Sequence, residues 1–266
     1  MRRFLSTIAV TFALCAPVHA WELKVCANPD GTPYSTRDGS GFENQIVQIL
    51  ADELGAKAQF VWMPNHRMRT ARGLLHAGDC DAVMGVLDGQ KGFLTSHAYY
   101  RSAYVFVLPK DGADITSLND PKLADLRIGV SGGARRTTPP AVSIVRRGLR
   151  STLVFYGTSL TPLKTETNIL NDLEAGRIDM GILWGPMAGH LARPGLELRP
   201  VSPEIDIPFL PMFAALSIGL RPHDEALRDA LDTALAARWD EVQTILADAQ
   251  VPLLHLPRPV IGEVTQ

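Results

Sequence analysis

Four residues able to take part in chemistry lie close together in the segment LDGQKGFLTSHAYYRS, residues 87–102: His97, Tyr99, Tyr100 and Arg101. A histidine among tyrosines and an arginine could serve acid–base catalysis. The same side chains could instead line a ligand pocket, or belong to a well-packed strand edge. The segment follows an apolar run and turns through two glycines, so it joins two regular elements. All three interpretations are open at this point.

A second candidate is GVSGG at 129–133, which follows a predicted strand and matches the G-x-S-x-G pattern of serine hydrolases. A hydrolase also needs an acidic residue and then a histidine downstream. Three histidines do follow, but none lies in a recognisable catalytic context, and no HGGG-type segment precedes Ser131. We therefore favour a glycine-rich turn whose backbone N–H groups face a cleft.

The residues give little support for an anion or metal site. GVSGGARRTT lacks the lysine of a phosphate-binding loop, although Arg135 and Arg136 could hold an anion at the next helix N-terminus. They could equally be solvated surface charge. No pair of histidines has metal-ligand spacing, and DGTPYSTRDGSG lacks the closing glutamate of a calcium loop. The sequence therefore predicts neither a metal nor a cofactor.

The first twenty residues have the organisation of a secretory signal peptide. Arg2 and Arg3 precede an apolar run over 4–16, and the segment ends in VHA at 18–20, where a signal peptidase reads small residues. The apolar run is too short to span a membrane as a mature helix. We expect the mature protein to begin at Trp21 and to be periplasmic.

Removing the signal peptide leaves two cysteines, Cys26 and Cys80. In an exported protein an even pair most simply forms a disulfide, with two buried free thiols as the alternative. The signal peptide carries two of the 26 basic residues, so the mature chain, with 28 acidic residues, has a net charge of −4. A mildly acidic chain argues against nucleic acid as a partner. The mature length suits one large domain or two smaller ones.

The elements that must position these residues alternate between strand-like apolar runs and amphipathic helices, which is typical of an α/β fold. Strands are predicted at 23–28, 58–63, 80–87, 103–109, 127–131, 153–158, 179–185 and 215–221. Helices are predicted within 41–56, 65–78 and 223–249, the last with a break near Asp240.

A weak internal repeat relates two parts of the chain. LHAGDCDAVMG at 75–85 and LEAGRIDMGIL at 173–183 share leucine, alanine, glycine and aspartate in register. Each unit is predicted to be a helix, a glycine stop and a buried strand. Two lobes of one plan would explain the repeat, and so would the independent convergence of helix–glycine–strand junctions.

Seven segments together resemble a type II periplasmic solute-binding protein: KVCANPDGTPYS, GFENQIVQILADELGA, LLHAGDCDAVMGV, AYYRSAYVFVLPK, LADLRIGVSGG, LEAGRIDMGILWGPMAG and LSIGLRPHDEALRDALDTAL. The resemblance implies an α/β fold of two lobes, each a mixed sheet flanked by helices, joined by a two-strand hinge. It implies a first lobe over 21–108, completed by 215–266, and a second over 109–214. Ligands of such folds bind between the lobes.

Shorter motifs, VCANP, GFENQI, GDCD, YYRSAYVFV, TPPAVSIVRRG, WGPMAG and VPLL, are similar to the MoxJ/XoxJ-type subfamily. Those proteins are periplasmic accessories of quinoprotein, that is PQQ-dependent, alcohol dehydrogenases, notably methanol dehydrogenases. The resemblance implies a non-catalytic protein that assists the maturation, activation or docking of such a dehydrogenase. It also implies that Cys26 and Cys80 lie on neighbouring strands, within reach of a disulfide.

The chain departs from amino-acid-binding members of the wider fold at the residues that hold their ligand. The arginine that grips the ligand carboxylate is absent from 87–93, where Lys91 offers a point charge without the bidentate fork. Trp184 lies where those members carry an aspartate for the ligand ammonium, and Gln45 stands in place of another acid. An amino-acid ligand would leave buried charges unpaired, so we disfavour it.

Two functions follow from the sequence. The first is the accessory protein of a PQQ-dependent alcohol dehydrogenase; the alternative is the substrate-binding receptor of an ABC transporter for a small solute other than an amino acid. Ligand-cleft candidates are Tyr34, Lys91, Thr95, Arg135, Thr137 and Trp184. In this fold the cluster at 97–101 becomes structural or partner-facing, and no catalytic residue is predicted.

Overall fold

The computed structural model describes residues 21–63, 68–133, 136–157 and 161–262, without the side chain of Arg136. The strands in these residues are β1 (Glu22–Ala27), β2 (Asp30–Gly31), β3 (Ser35–Thr36), β4 (Lys57–Trp62), β5 (Ala82–Leu87), β6 (Leu94–Pro109), β7 (Ile128–Gly133), β8 (Arg136–Thr137), β9 (Leu153–Tyr156), β10 (Met180–Trp184), β11 (Leu196–Pro200), β12 (Ile205–Asp206), β13 (Leu210–Pro211) and β14 (Phe213–Leu220). The α-helices are α1 (Phe42–Glu53), α2 (Met68–Ala77), α3 (Pro139–Arg146), α4 (Pro162–Glu174), α5 (Gly185–His190), α6 (Glu225–Ala237) and α7 (Trp239–Asp248).

The helices form where apolar residues recur at helical spacing. In α1, Ile46, Val47 and Leu50 share the buried face, and Gly55, with φ +64°, follows the C-terminus. A glycine reaches this left-handed conformation without a Cβ penalty, so the helix ends there. Among the described helices none is long and apolar enough to cross a bilayer.

The strands form a mixed sheet in the order β4-β1-β5-β14-β6-β10-β7-β8, with β11 also paired to β6 and β9 to β7. Strand β1 pairs in parallel with β4 and β5, and β7 pairs in parallel with β9 and β10. Strand β6 is antiparallel to β14, β10 and β11. Two parallel groups are therefore joined through antiparallel strands.

Strand β6 belongs to both parts of the sheet. Residues up to Ala103 pair with β14, whereas Tyr104 onward pairs with β10 and β11. A single strand of sixteen residues therefore connects the two parallel groups without a loop. The chain returns to the first group through β14.

The described buried apolar residues form four clusters, which fall by chain segment into two groups that we call the outer core and the middle core. The outer core is built from 23–100 and 216–251 and the middle core from 105–212. This arrangement agrees with the predicted mixed α/β, two-lobed plan. The lobe boundaries at 108 and 215 stay a prediction.

Most predicted elements are found within a few residues of their expected bounds. The predicted helix over 223–249 is two helices, α6 and α7, which meet at Arg238 and Trp239 beside the expected break. The signal peptide at 1–20, the start of the second predicted helix at 65–67 and the last residue of the strand at 153–158 lie outside the described residues.

Cys26 in β1 and Cys80 before β5 form a disulfide, with Cα atoms 5.6 Å apart. Both residues are buried, and the parallel pairing of β1 with β5 brings them together. The predicted bridge is confirmed, and the alternative of two free thiols is not found.

The C-terminal segment crosses α5 at Gly189. A Cβ at Gly189 would lie 1.9 Å from the backbone oxygen of Gln250. Because this neighbour is backbone and cannot rotate away, G189A should lower the free energy of unfolding by about 2 kcal/mol. Urea unfolding of the purified protein measures the change.

Gly73 in α2 provides the matched control, since a Cβ there would meet no atom within 4 Å. G73A should raise the free energy of unfolding by about 0.5–1 kcal/mol because alanine is the better helix former. Equal effects of G189A and G73A would contradict the close approach of 250–252 to α5.

Candidate ligand cleft

A cavity of about 550 Å³ lies between the two cores. One side is formed by the end of β1, the loop over 28–35, α1 and β5, and the other by the starts of α4 and α5. Its apolar lining includes Val25, Val47, Met63, Met84, Leu163 and Met187. A cavity of this size, lined mainly by apolar side chains, is typical of a small-molecule site.

Glu43 enters the cavity from the first turn of α1 and is only 7 % exposed. The Tyr99 hydroxyl donates to its Oε1 at 2.8 Å, and the Gly85 backbone N–H donates to the Tyr99 hydroxyl oxygen at 3.1 Å. Burial raises the pKa of Glu43 to about 7, although the bond from Tyr99 lowers it. At neutral pH this carboxyl is therefore present in both protonation states.

Glu166 enters the cavity from α4 and is also 7 % exposed. Its Oε2 is buried and has no hydrogen-bond partner among the described residues. Burial raises the pKa of Glu166 to about 8, because the carboxyl loses its hydration and no cation or donor among the described residues compensates the loss. An unpartnered acceptor at this depth costs free energy that a bound donor would recover.

Aromatic side chains surround the two carboxyls. Tyr34, Phe60, Tyr100 and Trp184 line the cavity, and Tyr104 packs on the Trp184 ring with centroids 5.3 Å apart. Burial, followed by the charges of Glu166 and Glu43, raises the pKa of Tyr34 well above its ordinary value, while the Trp184 N–H lowers it. These phenols therefore stay protonated at neutral pH, and both carboxyls lie within electrostatic range of Tyr34.

The charged residues that line the cavity are all acidic among the described residues. Asp30, Glu43 and Glu166 are its acidic residues, and no lysine, arginine or histidine is among the described residues that line it. No group of three or more histidine, cysteine or acidic residues suited to a metal ion occurs in the described part of the chain. The cavity therefore offers acceptors and aromatic faces to an uncharged or cationic molecule.

The six cleft candidates from the sequence separate into three groups. Tyr34 and Trp184 line the cavity. Lys91, Thr95 and Thr137 are not among the described lining residues. Lys91 is exposed, and the Thr95 hydroxyl accepts a hydrogen bond from the Gly89 N–H. Thr137 is also exposed and donates to the Gly133 carbonyl. Arg135 and the side chain of Arg136 lie outside the described residues. Ligand contact by any of them stays a prediction.

The cluster at 97–101 lies on β6, where an irregularity in the pairing with β14 leaves both tyrosines on the buried side. Tyr99 and Tyr100 are buried in the outer core, while His97 contacts Asp232 at 2.9 Å. Arg101 donates to Glu204 at 2.8 Å and lies over the Phe213 ring. Tyr99 and Tyr100 pack on each other with ring centroids 5.0 Å apart beside the cavity, while His97 and Arg101 form separate ion pairs, so the four side chains do not form one catalytic cluster.

The prediction of a glycine-rich turn at 129–133 is wrong, because these residues form most of β7. A Cβ on Gly129 would lie 2.6 Å from the Ile178 side chain, so close packing accounts for this glycine. Ser131 pairs with Tyr156 of β9 within the sheet, and its buried hydroxyl has no described partner. A nucleophile elbow requires a strand-to-helix turn, which is not the geometry here.

Neither buried glutamate was predicted from the sequence, although each lies at helical spacing from buried apolar residues. Glu43 precedes Ile46, Val47 and Leu50 at i+3, i+4 and i+7, and all four residues are buried. Glu166 precedes Ile169, Leu170 and Leu173 with the same spacing. An acidic residue on the apolar face of a helix indicates either a buried partner or a site.

Comparison with known proteins places the chain among binding proteins. The family model for bacterial extracellular solute-binding proteins, family 3, matches residues 23–245. Protein MoxJ of Methylorubrum extorquens is 31 % identical over 274 residues, which cover 91 % of this chain and 90 % of that protein.

Two solved structures are similar over most of their length. Periplasmic binding protein XoxJ from Methylobacterium extorquens AM1 is 31 % identical with a TM-score of 0.69, covering 88 % of this chain and 100 % of that one. MxaJ from Methlophaga aminisulfidivorans MPT is 28 % identical with a TM-score of 0.73, covering 87 % of this chain and 100 % of that one.

Proposed function

The chain belongs to family 3 of the bacterial extracellular solute-binding proteins, and we propose that it is a non-catalytic periplasmic accessory of a PQQ-dependent alcohol dehydrogenase, specifically a methanol dehydrogenase. It would assist the maturation, activation or docking of that enzyme. The observation that carries the proposal is the similarity to MoxJ, MxaJ and XoxJ across nearly the whole chain.

The lining of the cavity supports the proposal. A receptor for amino acids pairs the ligand carboxylate with a cation, and the described lining contains none. The described residues thus keep the binding-protein fold without a cation in the cavity lining to hold a ligand carboxylate.

A small exposed hairpin offers a surface for a protein partner. Strands β12 and β13 pair with each other, and the connection between them exposes Ile207 by 82 % and Phe209 by 92 %. We call residues 205–211 the apolar tip. Exposed apolar side chains grouped in this way mark interaction sites, and large hydrophobic anchors supply much of the binding free energy at interfaces.

The apolar tip is held in place by a charged network. Arg147, which follows α3, donates to the two carboxylate oxygens of Asp206 at 2.6 and 2.9 Å, and also to Asn119 at 2.7 Å. The Ser143 hydroxyl donates to the same carboxylate. Since the tip is fixed before a partner binds, less conformational entropy is lost on docking.

Replacing Arg147 with alanine should lower the free energy of unfolding by about 3 kcal/mol, because Asp206 would be left buried without its cation. The hydrogen bonds from Arg147 hold the pKa of Asp206 well below its usual range. The pair therefore stabilises the fold above the ordinary aspartate pKa, and this contribution is lost as the pH falls towards the folded-state value. Urea unfolding at pH 7 and at about pH 2.5, below the ordinary aspartate pKa, measures the effect.

R228A is the control for R147A, since Arg228 pairs with the exposed Asp229 on α6. It should change stability by less than about 1 kcal/mol at either pH. If R147A lowered the free energy of unfolding no more than R228A does, Arg147 would not be holding the apolar tip in place.

Binding of the purified chain to a purified PQQ-dependent methanol dehydrogenase tests the proposal. We expect a saturable complex in biolayer interferometry, weakened about tenfold or more by the double substitution I207S/F209S. V260S removes another exposed apolar side chain, 61 % exposed near the C-terminus, and should leave the affinity unchanged. No complex with the wild-type chain would contradict the accessory role, and equal binding of I207S/F209S would exclude the apolar tip as its surface.

The cavity favours a second candidate function, that of the receptor of an ABC transporter for a small solute other than an amino acid. Its volume and its unpartnered Glu166 oxygen are the observations that favour it. A solute at a hundred times its dissociation constant should add about 2.7 kcal/mol to the free energy of unfolding. A thermal-shift screen of neutral and cationic solutes without any stabilisation would contradict this function.

A further inference from the structure

We propose that the cavity between the two cores binds a small organic amine, whose ammonium N–H groups are accepted by Glu166 and Glu43 while its carbon skeleton lies against Tyr34, Phe60, Tyr100 and Trp184. The amine would be the ligand of the cleft whether the protein serves a dehydrogenase or a permease.

The two carboxyls reach the cavity from different elements. Glu43 belongs to α1, which packs in the outer core, and Glu166 belongs to α4, which packs in the middle core. Tyr34 lies within electrostatic range of both. Because Glu43 and Glu166 line the same cavity, a ligand bound there faces an acidic side chain from each core.

One carboxyl oxygen of Glu166 lacks a hydrogen-bond donor among the described residues. Its Oε2 is buried without a partner among the described residues, whereas the Oε1 of Glu43 accepts a hydrogen bond from Tyr99. Buried carboxylate oxygens normally have donors, and an ammonium group supplies both donors and charge. When Glu166 is ionised, a ligand bearing only acceptors would leave this oxygen unsatisfied.

Charge and aromatic character select the class of ligand. The described lining contains three acidic residues and no basic one, so an anion would find no side-chain cation there and would be repelled once the carboxyls ionise. The carboxylate of a zwitterion would likewise be unpaired. The faces of the tyrosines and Trp184 attract cations. A hard metal ion is disfavoured because its usual shell of oxygen ligands is not assembled in the described residues.

Four phenyl-bearing probes of different charge test the proposal: 2-phenylethylamine, 2-phenylethanol, phenylacetate and phenylalanine, which is 2-phenylethylamine with an added carboxylate. Tryptamine serves as a larger amine. Isothermal titration of the purified protein at pH 8.5 should show binding of the amines, with the other three weaker by about tenfold or more. The absence of binding by both amines would overturn the proposal. So would an alcohol, acid or amino acid that binds as tightly as 2-phenylethylamine.

The variants E166Q and E43Q should each weaken amine binding by about tenfold or more, because each removes a negative charge that faces the ammonium group. E174Q is the control, since Glu174 lies on the same helix but is exposed and pairs with Arg193. Amine affinities unchanged by both E166Q and E43Q would overturn the assignment. Circular dichroism confirms that each variant is folded.

Amine affinity should rise between pH 6 and pH 8.5, because binding favours the ionised forms of Glu166 and Glu43. The other titratable groups that face these carboxyls are Tyr34, Tyr99, Tyr100, Tyr104 and, in the cavity lining, Asp30. Burial raises the pKa of each of these tyrosines, so none of them loses its proton in this range.

Titrations in buffers of different ionisation enthalpy should detect proton release on binding at pH 7. Affinity independent of pH, without proton release, would contradict the role of the carboxyls. These measurements use the protein alone, so their failure is distinguishable from a failure to bind a dehydrogenase.

Discussion

Replacing Glu166 with glutamine should raise the free energy of unfolding by about 4 kcal/mol at pH 9 and change it little at pH 5. Burial raises the pKa of Glu166 from 4.5 to about 8, so the folded state holds this proton more tightly than the unfolded state. The resulting stabilisation is complete below about pH 4.5 and is lost as the pH rises through about 8. Glutamine has no proton to lose.

Urea unfolding of wild type and E166Q from pH 5 to pH 9 measures this difference. Other titrating groups are common to both proteins, so their contributions cancel in the comparison. E174Q should behave like the wild type within about 1 kcal/mol, because Glu174 is a surface residue paired with Arg193. A constant difference between wild type and E166Q over the whole range would show that Glu166 is not buried in the unliganded protein.

Removing the Cys26–Cys80 disulfide should lower the free energy of unfolding by about 4 kcal/mol. The bridge links residues separated by 54 positions, so it restricts a long loop of the unfolded chain. It also joins β1 to the start of β5 beneath the cavity, whose lining includes Cys26. Its loss should therefore weaken both the fold and any ligand binding in the cleft.

The double variant C26A/C80A and the reduced wild-type protein should show the same loss in urea unfolding, apart from a small cavity effect of the alanines. The control is the reductant itself, which should not change the stability of C26A/C80A. Wild-type stability that is insensitive to complete reduction, verified by thiol labelling, would contradict the expected contribution of the bridge.

Much of the fold could be predicted from sequence because its signals are local. The apolar faces of α1 and α6–α7 follow helical spacing, and glycines such as Gly55 mark where helices end. The length of β6 could not be predicted in the same way. The predicted strand begins at 103, but β6 begins at Leu94 because its first half pairs with β14, more than a hundred residues later.

The site was less predictable because its residues come from separate elements. Tyr34 and Trp184 were expected in the cleft from the family resemblance, and they line the cavity. Glu43 and Glu166 were missed, since their burial depends on packing between distant segments. Their positions on apolar helix faces were visible in the sequence, but spacing alone does not distinguish a buried site from a structural hydrogen bond.

The cleft and the apolar tip suggest a division of roles within the proposed function. The cavity presents acidic and aromatic groups to a small molecule, while Ile207 and Phe209 present an apolar surface to a protein. The tip follows β11, which pairs with β6. Since β6 also contributes Tyr99 and Tyr100 beside the cavity, the two features share one strand as a support.

Dehydrogenase activity in a strain that lacks this chain tests whether the protein serves the enzyme. In a strain with the gene deleted, we predict that PQQ-dependent methanol dehydrogenase activity in the periplasmic fraction falls by about tenfold or more. The wild-type chain should restore it, V260S should restore it equally, and I207S/F209S, expressed to the same level, should not. Full dehydrogenase activity in the deletion strain would contradict the accessory role.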